Sequence, residues 1–147
     1  MCEAASKKLA KESVPMKGKK IVSAVLAIAI ILAALYALAP GFSKLGSVYI
    51  SDYAVSEDGT KMTVTVSVAS SVGYVRKVSE RRQQEGVLEV DCYAAFGGIN
   101  GSWGAKAEHT IRLLKDTEVI ALYRADGQYE PVLAKDENGS WQRVDAK

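Results

Sequence analysis

Few side chains in this sequence could carry acid–base, nucleophilic or metal chemistry. His109 is the only histidine, which excludes a two-histidine metal site. Because Cys2 falls in the predicted cytoplasmic head, Cys92 with His109 is the only conceivable thiol dyad. Both residues fall on apolar faces of predicted strands, where a free cysteine usually packs as a small hydrophobic side chain. We expect no catalytic residue, no metal and no cofactor. A small hydrolase is the least favoured interpretation.

Three acidic side chains, Glu89, Asp91 and Glu108, are the remaining candidates for a pair of carboxylates that exchange protons. Each occupies a polar position in an alternating strand pattern. Such alternation places acidic residues on the solvated face of a strand whether or not a site exists. We therefore expect these carboxylates to be solvated surface groups.

The glycine-rich stretch 97–104 separates two predicted strands and supplies the candidates for ligand binding. It lacks the Gly-Lys-Ser/Thr ending of a phosphate-binding loop, and no helix follows it. Its tryptophan is a large ring among small residues, and an aromatic platform beside amide and hydroxyl groups suits a sugar ring or a peptide segment. The alternative is that the ring folds back and plugs the open end of the domain. The ligand-binding candidates are Gly98, Asn100, Gly101, Ser102 and Trp103.

A second candidate surface is basic and is expected around one turn. Its residues are Arg76, Lys77, Arg81 and Arg82. Such a cluster could meet phospholipid headgroups or an anionic polymer of the cell envelope, and the alternative is an ordinary solvated turn. From Pro40 onward the chain carries 13 basic and 15 acidic residues. Because this part lacks a broad basic field, nucleic acid is not an expected partner.

The element that positions these groups in the cell is the uncharged segment 21–39, which ends against Pro40. A helix of this length is close to the thickness of a bilayer's hydrocarbon core, so the segment is predicted to be a transmembrane signal anchor. Six lysines precede it: Lys7, Lys8, Lys11, Lys17, Lys19 and Lys20. Positive charge stays on the cytoplasmic side, so we expect a single-pass membrane protein with its N-terminus inside and its C-terminal domain outside.

Two alternatives concern the same apolar segment. Ala37-Leu38-Ala39 fits a small-x-small cleavage pattern, so the segment could instead be removed near Ala39 and the domain secreted, although Pro40 disfavours cleavage there. Ala29, Ala33 and Ala37 recur at every fourth residue, and small residues on one helix face allow close approach of a second helix. A homodimer through this face is therefore a further candidate interaction.

After a linker at 40–46, the sequence changes to alternation of apolar and polar residues. The strands are predicted at 48–55, 61–68, 73–79, 87–94, 108–114, 119–124, 129–134 and 141–144, with Asp-Gly turns that predict hairpins. Short strands at this spacing predict an all-β domain, an immunoglobulin-like β-sandwich of seven or eight strands, with a small β-barrel as the alternative. The expected organisation is therefore a lysine-rich cytoplasmic head at 1–20, the transmembrane helix at 21–39, the linker and an extracytoplasmic domain at 47–147.

Four stretches of this domain carry a resemblance to a known group of proteins. They are Val72 to Arg76, Tyr93 to Gly101, Gly104 to Lys106, and Asp126 to Leu133. The chain resembles a group of short membrane-anchored extracytoplasmic proteins of Gram-positive bacteria, and a similar module adjoins some membrane metallopeptidases of the antibiotic-sensing type. The resemblance covers most of 60–135. It implies an accessory or sensory domain without catalytic residues, and the zinc-binding histidine motif of those peptidases is absent from this sequence.

Together these features predict a membrane-anchored extracytoplasmic binding or interaction module. Its expected partners are the membrane and a cell-envelope polymer, a peptide or a protein. The alternative function is a cell-envelope sensor that signals through association of its helix.

Overall fold

The computed structural model describes residues 16–70, 73–97 and 101–144, without the side chains of residues 16, 17, 82 and 83. It divides the chain into two compact units, Met1–Ala34 and Leu35–Lys147. The boundary falls inside helix α1, Met16–Leu38. The last turn of this helix therefore belongs to the same unit as the strands.

Helix α1 carries three lysines in its first five residues and is uncharged on all sides from Ile21 onward. Its 23 residues correspond to roughly 34 Å at the helical rise, which is enough to cross a bilayer. It is the helix that is long and apolar enough to span a membrane among the residues described. The side chains from Ile21 to Tyr36 are exposed, as expected for a helix whose surroundings are apolar. A 3₁₀ turn at Ala39–Phe42 follows the α-helix, with Pro40 as its second residue.

The second unit is mostly β, as the alternation predicts. Its described residues form eight strands: β1 Val48–Val55, β2 Lys61–Val68, β3 Val75–Gln84, β4 Val87–Ala94, β5 Glu108–Arg112, β6 Val119–Tyr123, β7 Tyr129–Lys135 and β8 Trp141–Arg143. They form a three-stranded sheet in the order β1-β2-β5 and a five-stranded sheet in the order β3-β4-β6-β7-β8. Hairpins join β1 to β2 and β6 to β7, at the two Asp-Gly turns.

One pairing within the larger sheet is parallel. Val87 to Val90 of β4 lie beside Val119 to Leu122 of β6, and the chain passes through β5 in the other sheet between them. In the constant-type immunoglobulin plan the fourth strand instead pairs with the fifth. The first sheet here has the order of strands A, B and E of that plan, and β4 occupies a different place.

The two sheets share one core. It is built from the apolar positions of the alternating strands, with Met62 and Ile120 fully buried and Leu122 and Leu133 at 1% exposure. The predicted face of β4 is correct, because Leu88, Val90 and Cys92 all lie in this core. Alternation with period two therefore sets which side of each strand is buried.

The prediction of a turn at the basic residues is wrong. Arg76, Lys77, Arg81 and Arg82 all lie on β3, which continues to Gln84. The turn comes afterwards, at Glu85 (φ 52°) and Gly86 (φ 79°), between the paired residues Gln84 and Val87. Positive φ at both central residues matches the twist of a two-residue hairpin.

The segment that connects the helix to β1 is bonded into the second unit. Lys44 forms a bridge with Tyr93, the Leu45 N–H donates to the Cys92 carbonyl at 2.8 Å, and the Ala94 N–H donates to Ser43 at 3.0 Å. Gly41 is buried. Residues 43–45 thus pair with the last residues of β4, beyond the stretch of β4 that pairs with β6, and extend the sheet there.

Candidate functional site

The ends of the strands define two opposite ends of the β unit. The proximal end, nearest the end of helix α1 along the chain, comprises 39–47, 73–77, 93–97, 101–107 and 124–128. The distal end comprises 55–61, 84–87, 113–119 and 135–140. Pairing of Val48 with Val68 and of Val75 with Ala94 places these residues toward the proximal end of their strands.

Trp103 lies at the proximal end and is held by its backbone against Phe96, two residues after the end of β4. The Phe96 N–H donates to the Trp103 carbonyl at 2.8 Å, and the two ring centroids are 6.1 Å apart. Glycines at positions 101 and 104 adopt φ of 65° and 78°, which lets the chain turn on either side of the tryptophan. The Trp103 side chain is 67% exposed. This exposure favours a platform over a plug.

Three further side chains extend this surface. The rings of Phe42 and Phe96 meet edge to face with centroids 5.7 Å apart. The guanidinium carbon of Arg76 lies 4.5 Å from the centroid of Phe96 and 5.5 Å from that of Phe42. Its Nε donates to the Ala94 carbonyl at 3.2 Å. We call the four residues Phe42, Arg76, Phe96 and Trp103 the aromatic–basic ledge.

The ledge adjoins the end of helix α1. The Gly97 N–H donates to the Ala37 carbonyl at 3.1 Å, which satisfies one of the last carbonyls of the helix. Gly41 packs against Phe96 so closely that an added Cβ would lie 2.1 Å from the ring. The ledge and the end of the apolar helix are therefore parts of one packed structure within Leu35–Lys147.

The other predicted site residues have separate surroundings. Gly101 and Ser102 lie in the turn before Trp103, and the Ser102 carbonyl accepts a bond from Ala105 at 2.9 Å. Lys77 is exposed beside Arg76 on β3. Arg81 lies farther along the strand and donates to the Tyr129 hydroxyl at 2.7 Å, so it is not part of the ledge. Gly98 and Asn100 lie outside the described residues, as does the side chain of Arg82.

Each end of the β unit also carries a cleft that the sequence did not indicate. The proximal cleft, of about 370 Å³, is lined by Val66 to Val68, Gly73 to Val75 and Ala105 to Ala107. The distal cleft, of about 450 Å³, contains Tyr53 and Trp141, and the Tyr53 hydroxyl donates to the Trp141 carbonyl at 2.6 Å. Both clefts combine segments that are far apart in the sequence, so no local pattern could reveal them.

Asp91 is buried, and the prediction that it is a solvated group is wrong for this residue. Its carboxylate pairs with Lys44 Nζ at 2.8 Å and accepts a bond from the Tyr129 hydroxyl at 2.7 Å. The hydrogen bond to Asp91 raises the pKa of Lys44, and burial raises the pKa of Tyr129. Lys44 and Tyr129 thus both bind the Asp91 carboxylate, and these contacts join the connecting segment to β4 and β7.

Cys92 and His109 do not form a dyad among the described contacts. Cys92 lies on β4 in the five-stranded sheet at 1% exposure, and burial raises the pKa of its thiol to about 12. His109 lies on β5 in the other sheet, where its Nε2 is 3.1 Å from the Lys106 carbonyl and burial lowers its pKa. A thiol with so high a pKa is a poor nucleophile at neutral pH. The described residues contain no cluster of three or more side chains able to hold a metal.

Comparison with known proteins found no family model, no curated protein and no solved structure that matches this chain.

Proposed function

We propose that this chain is a membrane-anchored extracytoplasmic binding or interaction module. One observation carries the proposal: an exposed aromatic and basic surface is packed directly onto the end of a helix that is exposed and uncharged from Ile21 to Tyr36. Soluble proteins rarely expose such a helix. The helix serves as the anchor, and the ledge at the proximal end serves as the interaction surface.

The charge on either side of the apolar segment supports the orientation. Six lysines precede it, whereas Lys44 is the single basic residue in the connection that follows. The positive-inside rule then favours a cytoplasmic N-terminus and a β unit outside. The same arrangement agrees with the resemblance to anchored extracytoplasmic proteins of Gram-positive bacteria.

Interaction is favoured over catalysis by the chemistry of the polar groups. The buried thiol is protonated at neutral pH, and Asp91 is engaged by Lys44 and Tyr129. By contrast, the exposed rings of Phe42 and Trp103 and the guanidinium of Arg76 form a surface for recognition. The finer fold that we propose is a sandwich of immunoglobulin-like type, supported by the order β1-β2-β5 and by one core between two sheets.

Protease protection in intact cells tests the proposal. The chain carries an epitope at its N-terminus, and protease is added outside before and after the membrane is permeabilised. We expect the β unit to be digested in intact cells while the N-terminal epitope survives until permeabilisation. Protection of the β unit from external protease, with folding verified after lysis, would overturn the assignment. Recovery from the medium of a chain that lacks the N-terminal epitope would instead support secretion after cleavage near Ala39.

A further inference from the structure

We propose that the aromatic–basic ledge lies in the headgroup layer of the same bilayer that holds helix α1, so that the β unit rests with its proximal end on the membrane. The proposal rests on the membrane anchor of the proposed function and names the partner of the ledge. The ledge is then an interfacial contact that fixes the orientation of the domain.

The first argument is the distance along the chain. Helix α1 ends at Leu38, and Phe42 follows four residues later. Four residues span at most about 14 Å when fully extended, and here they form a compact 3₁₀ turn. Headgroups occupy roughly 5 to 8 Å beyond each side of the hydrocarbon core. When the apolar helix spans a bilayer, Phe42 therefore lies at or near headgroup depth.

The second argument is that Trp103 is held at the same place. Trp103 contacts Phe96, Phe96 contacts Phe42, and Gly97 bonds the carbonyl of Ala37 in the last turn of the helix. Trp103, Phe42 and Tyr36 are exposed by 67%, 67% and 75% of their surface. Tryptophan and tyrosine are enriched where a membrane meets water, because their rings are apolar and each carries one polar group. The exposed rings on this end of the unit have the chemistry of that layer.

The third argument is the position of Arg76. Its guanidinium is held above two rings and beside a carbonyl, and no ion pair involves it among the described residues. A guanidinium presents planar N–H groups that match the oxygens of a phosphate. Arg76 thus offers a phosphate contact in the midst of the aromatic side chains, which is the combination that a phospholipid headgroup requires.

The fourth argument is a charge difference between the two ends of the β unit. The proximal segments carry five basic residues and one acidic residue, whereas the distal segments carry three basic and seven acidic residues. Lys44 and Arg124 are paired with Asp91 and Glu130, which lie outside the counted segments, so these two cations add no net charge. Three proximal cations in no described ion pair remain, Arg76, Lys77 and Lys106. A surface of lipid phosphates attracts the proximal end and repels the distal end. The charge of the β unit is therefore more positive at the proximal end, which is the end that the proposal places on the membrane.

The two tryptophans of the chain make the proposal measurable. Trp103 lies on the ledge, and Trp141 lies in the distal cleft. The Trp141→Phe variant reports on Trp103 alone, and the Trp103→Phe variant reports on Trp141 alone. Each full-length variant is reconstituted into phosphatidylcholine vesicles in which a fraction of the lipid carries bromine near the top of its acyl chains.

We expect bromine to reduce the Trp103 emission about two-fold and to leave the Trp141 emission unchanged, since bromine quenches only rings at its own depth in the interface. A chain that floats with the vesicles while Trp103 is not quenched would overturn this inference and leave the anchor intact. A chain that does not float with the vesicles would overturn the proposed function itself. If Trp103 is unquenched and is shielded instead by added cell-wall polymer, the ledge is a ligand platform and the inference is wrong.

Arg76 provides an independent readout. Addition of phosphatidylglycerol should deepen the quenching of Trp103. Arg76→Gln should reduce this increment markedly, and Lys77 and Lys106 supply the remainder. Arg81→Gln is the matched control, because Arg81 lies on the same strand but donates to Tyr129 away from the ledge. Arg76→Lys should retain most of the increment, which separates loss of charge from a folding defect. Equal loss in the Arg76→Gln and Arg81→Gln variants would contradict a specific contribution of Arg76.

Discussion

At the scale of single residues, Asp91 and Cys92 are adjacent on β4, and both are buried but on opposite faces of the strand. Cys92 faces the core, where it is 1% exposed, and Asp91 faces the opposite side. Alternation predicts the first correctly and the second wrongly. Asp91 is buried because Lys44 and Tyr129 come from a distant connection and a distant strand, and a local sequence pattern contains no information about such partners.

Burial of Cys92 predicts a specific loss of stability in alkali. Its pKa is raised from 9.0 to about 12 in the folded unit. The stabilisation is therefore fully present below pH 9 and is lost as the pH rises toward 12, because the unfolded chain releases the proton first. We expect a decline of about 1.4 kcal/mol per pH unit from this group.

The measurement compares the full chain with its Cys92→Ala variant in detergent micelles. Unfolding by guanidinium chloride is followed by tryptophan fluorescence at pH 8 and above pH 9. At pH 8 the variant should be less stable by about 1 to 2 kcal/mol, since a small volume is removed from the core. Above pH 9 this difference should shrink, because the variant has no thiol to ionise. Lys44 and Tyr129 titrate alike in both proteins and cancel. A difference that stays constant with pH would contradict the burial of the thiol.

At the scale of elements, the connection between helix and sheet is a packed structure with its own steric demands. An added Cβ at Gly46 would lie 2.3 Å from the backbone nitrogen of Ala125 and 2.6 Å from its Cα. These are backbone atoms of the turn between β6 and β7, so they cannot yield as a flexible side chain can. Gly46→Ala should therefore lower the free energy of unfolding by about 1 to 3 kcal/mol.

Gly18 supplies the matched control for that substitution. It lies within helix α1, and a Cβ there would meet nothing within 4 Å. Gly18→Ala should leave the stability of the β unit unchanged. Both variants are compared with the parent by guanidinium unfolding of the full chain in micelles. Equal stability of the parent and the Gly46→Ala variant would show that the turn at Ala125 is free to move.

Most strands could be predicted because their signals are local. The bounds of β1, β2 and β4 follow from the alternation of apolar and polar residues and from the turn residues beside them. The sequence pattern ends strand β3 at residue 79, which is too early, since Glu80 to Gln84 are polar and Glu85 is an unusual residue for a positive φ. The parallel pairing of β4 with β6 joins residues about 32 positions apart. It depends on how the strands pack together, so no local sequence pattern predicts it.

At the scale of the whole molecule, the sequence located Trp103 and Arg76 separately but not the surface that they share. Phe42 and Phe96 bring them together, and both are ordinary apolar residues in the sequence. The arrangement also bears on association of the helix. Ala37 is half-buried and its carbonyl accepts a bond from Gly97, so at this position the face shared with Ala29 and Ala33 is partly covered. Self-association through that face stays a prediction.

The shared core predicts that the two sheets unfold together. Met62 on β2 and Leu122 on β6 belong to different sheets, yet both are buried in one cluster, at 0% and 1% exposure. Truncation of either residue to alanine removes contacts from both layers. Met62→Ala and Leu122→Ala should each lower the free energy of unfolding by about 2 to 5 kcal/mol.

The tryptophans at opposite ends reveal whether this loss is common to the whole unit. Each substitution is combined with Trp141→Phe or Trp103→Phe, and guanidinium unfolding of the full chain in micelles is followed by the remaining tryptophan. Because the core is continuous, we expect both reporters to shift to lower denaturant by the same amount for each truncation. Leu114→Ala, at a residue that is 50% exposed, is the control and should cost under about 1 kcal/mol. Both tryptophans adjoin the five-stranded sheet, Trp141 on β8 and Trp103 through its bridge with Phe96 after β4. If Leu122→Ala moved both transitions while Met62→Ala, in the other sheet, left them in place, the sheets would unfold separately and the prediction would be wrong.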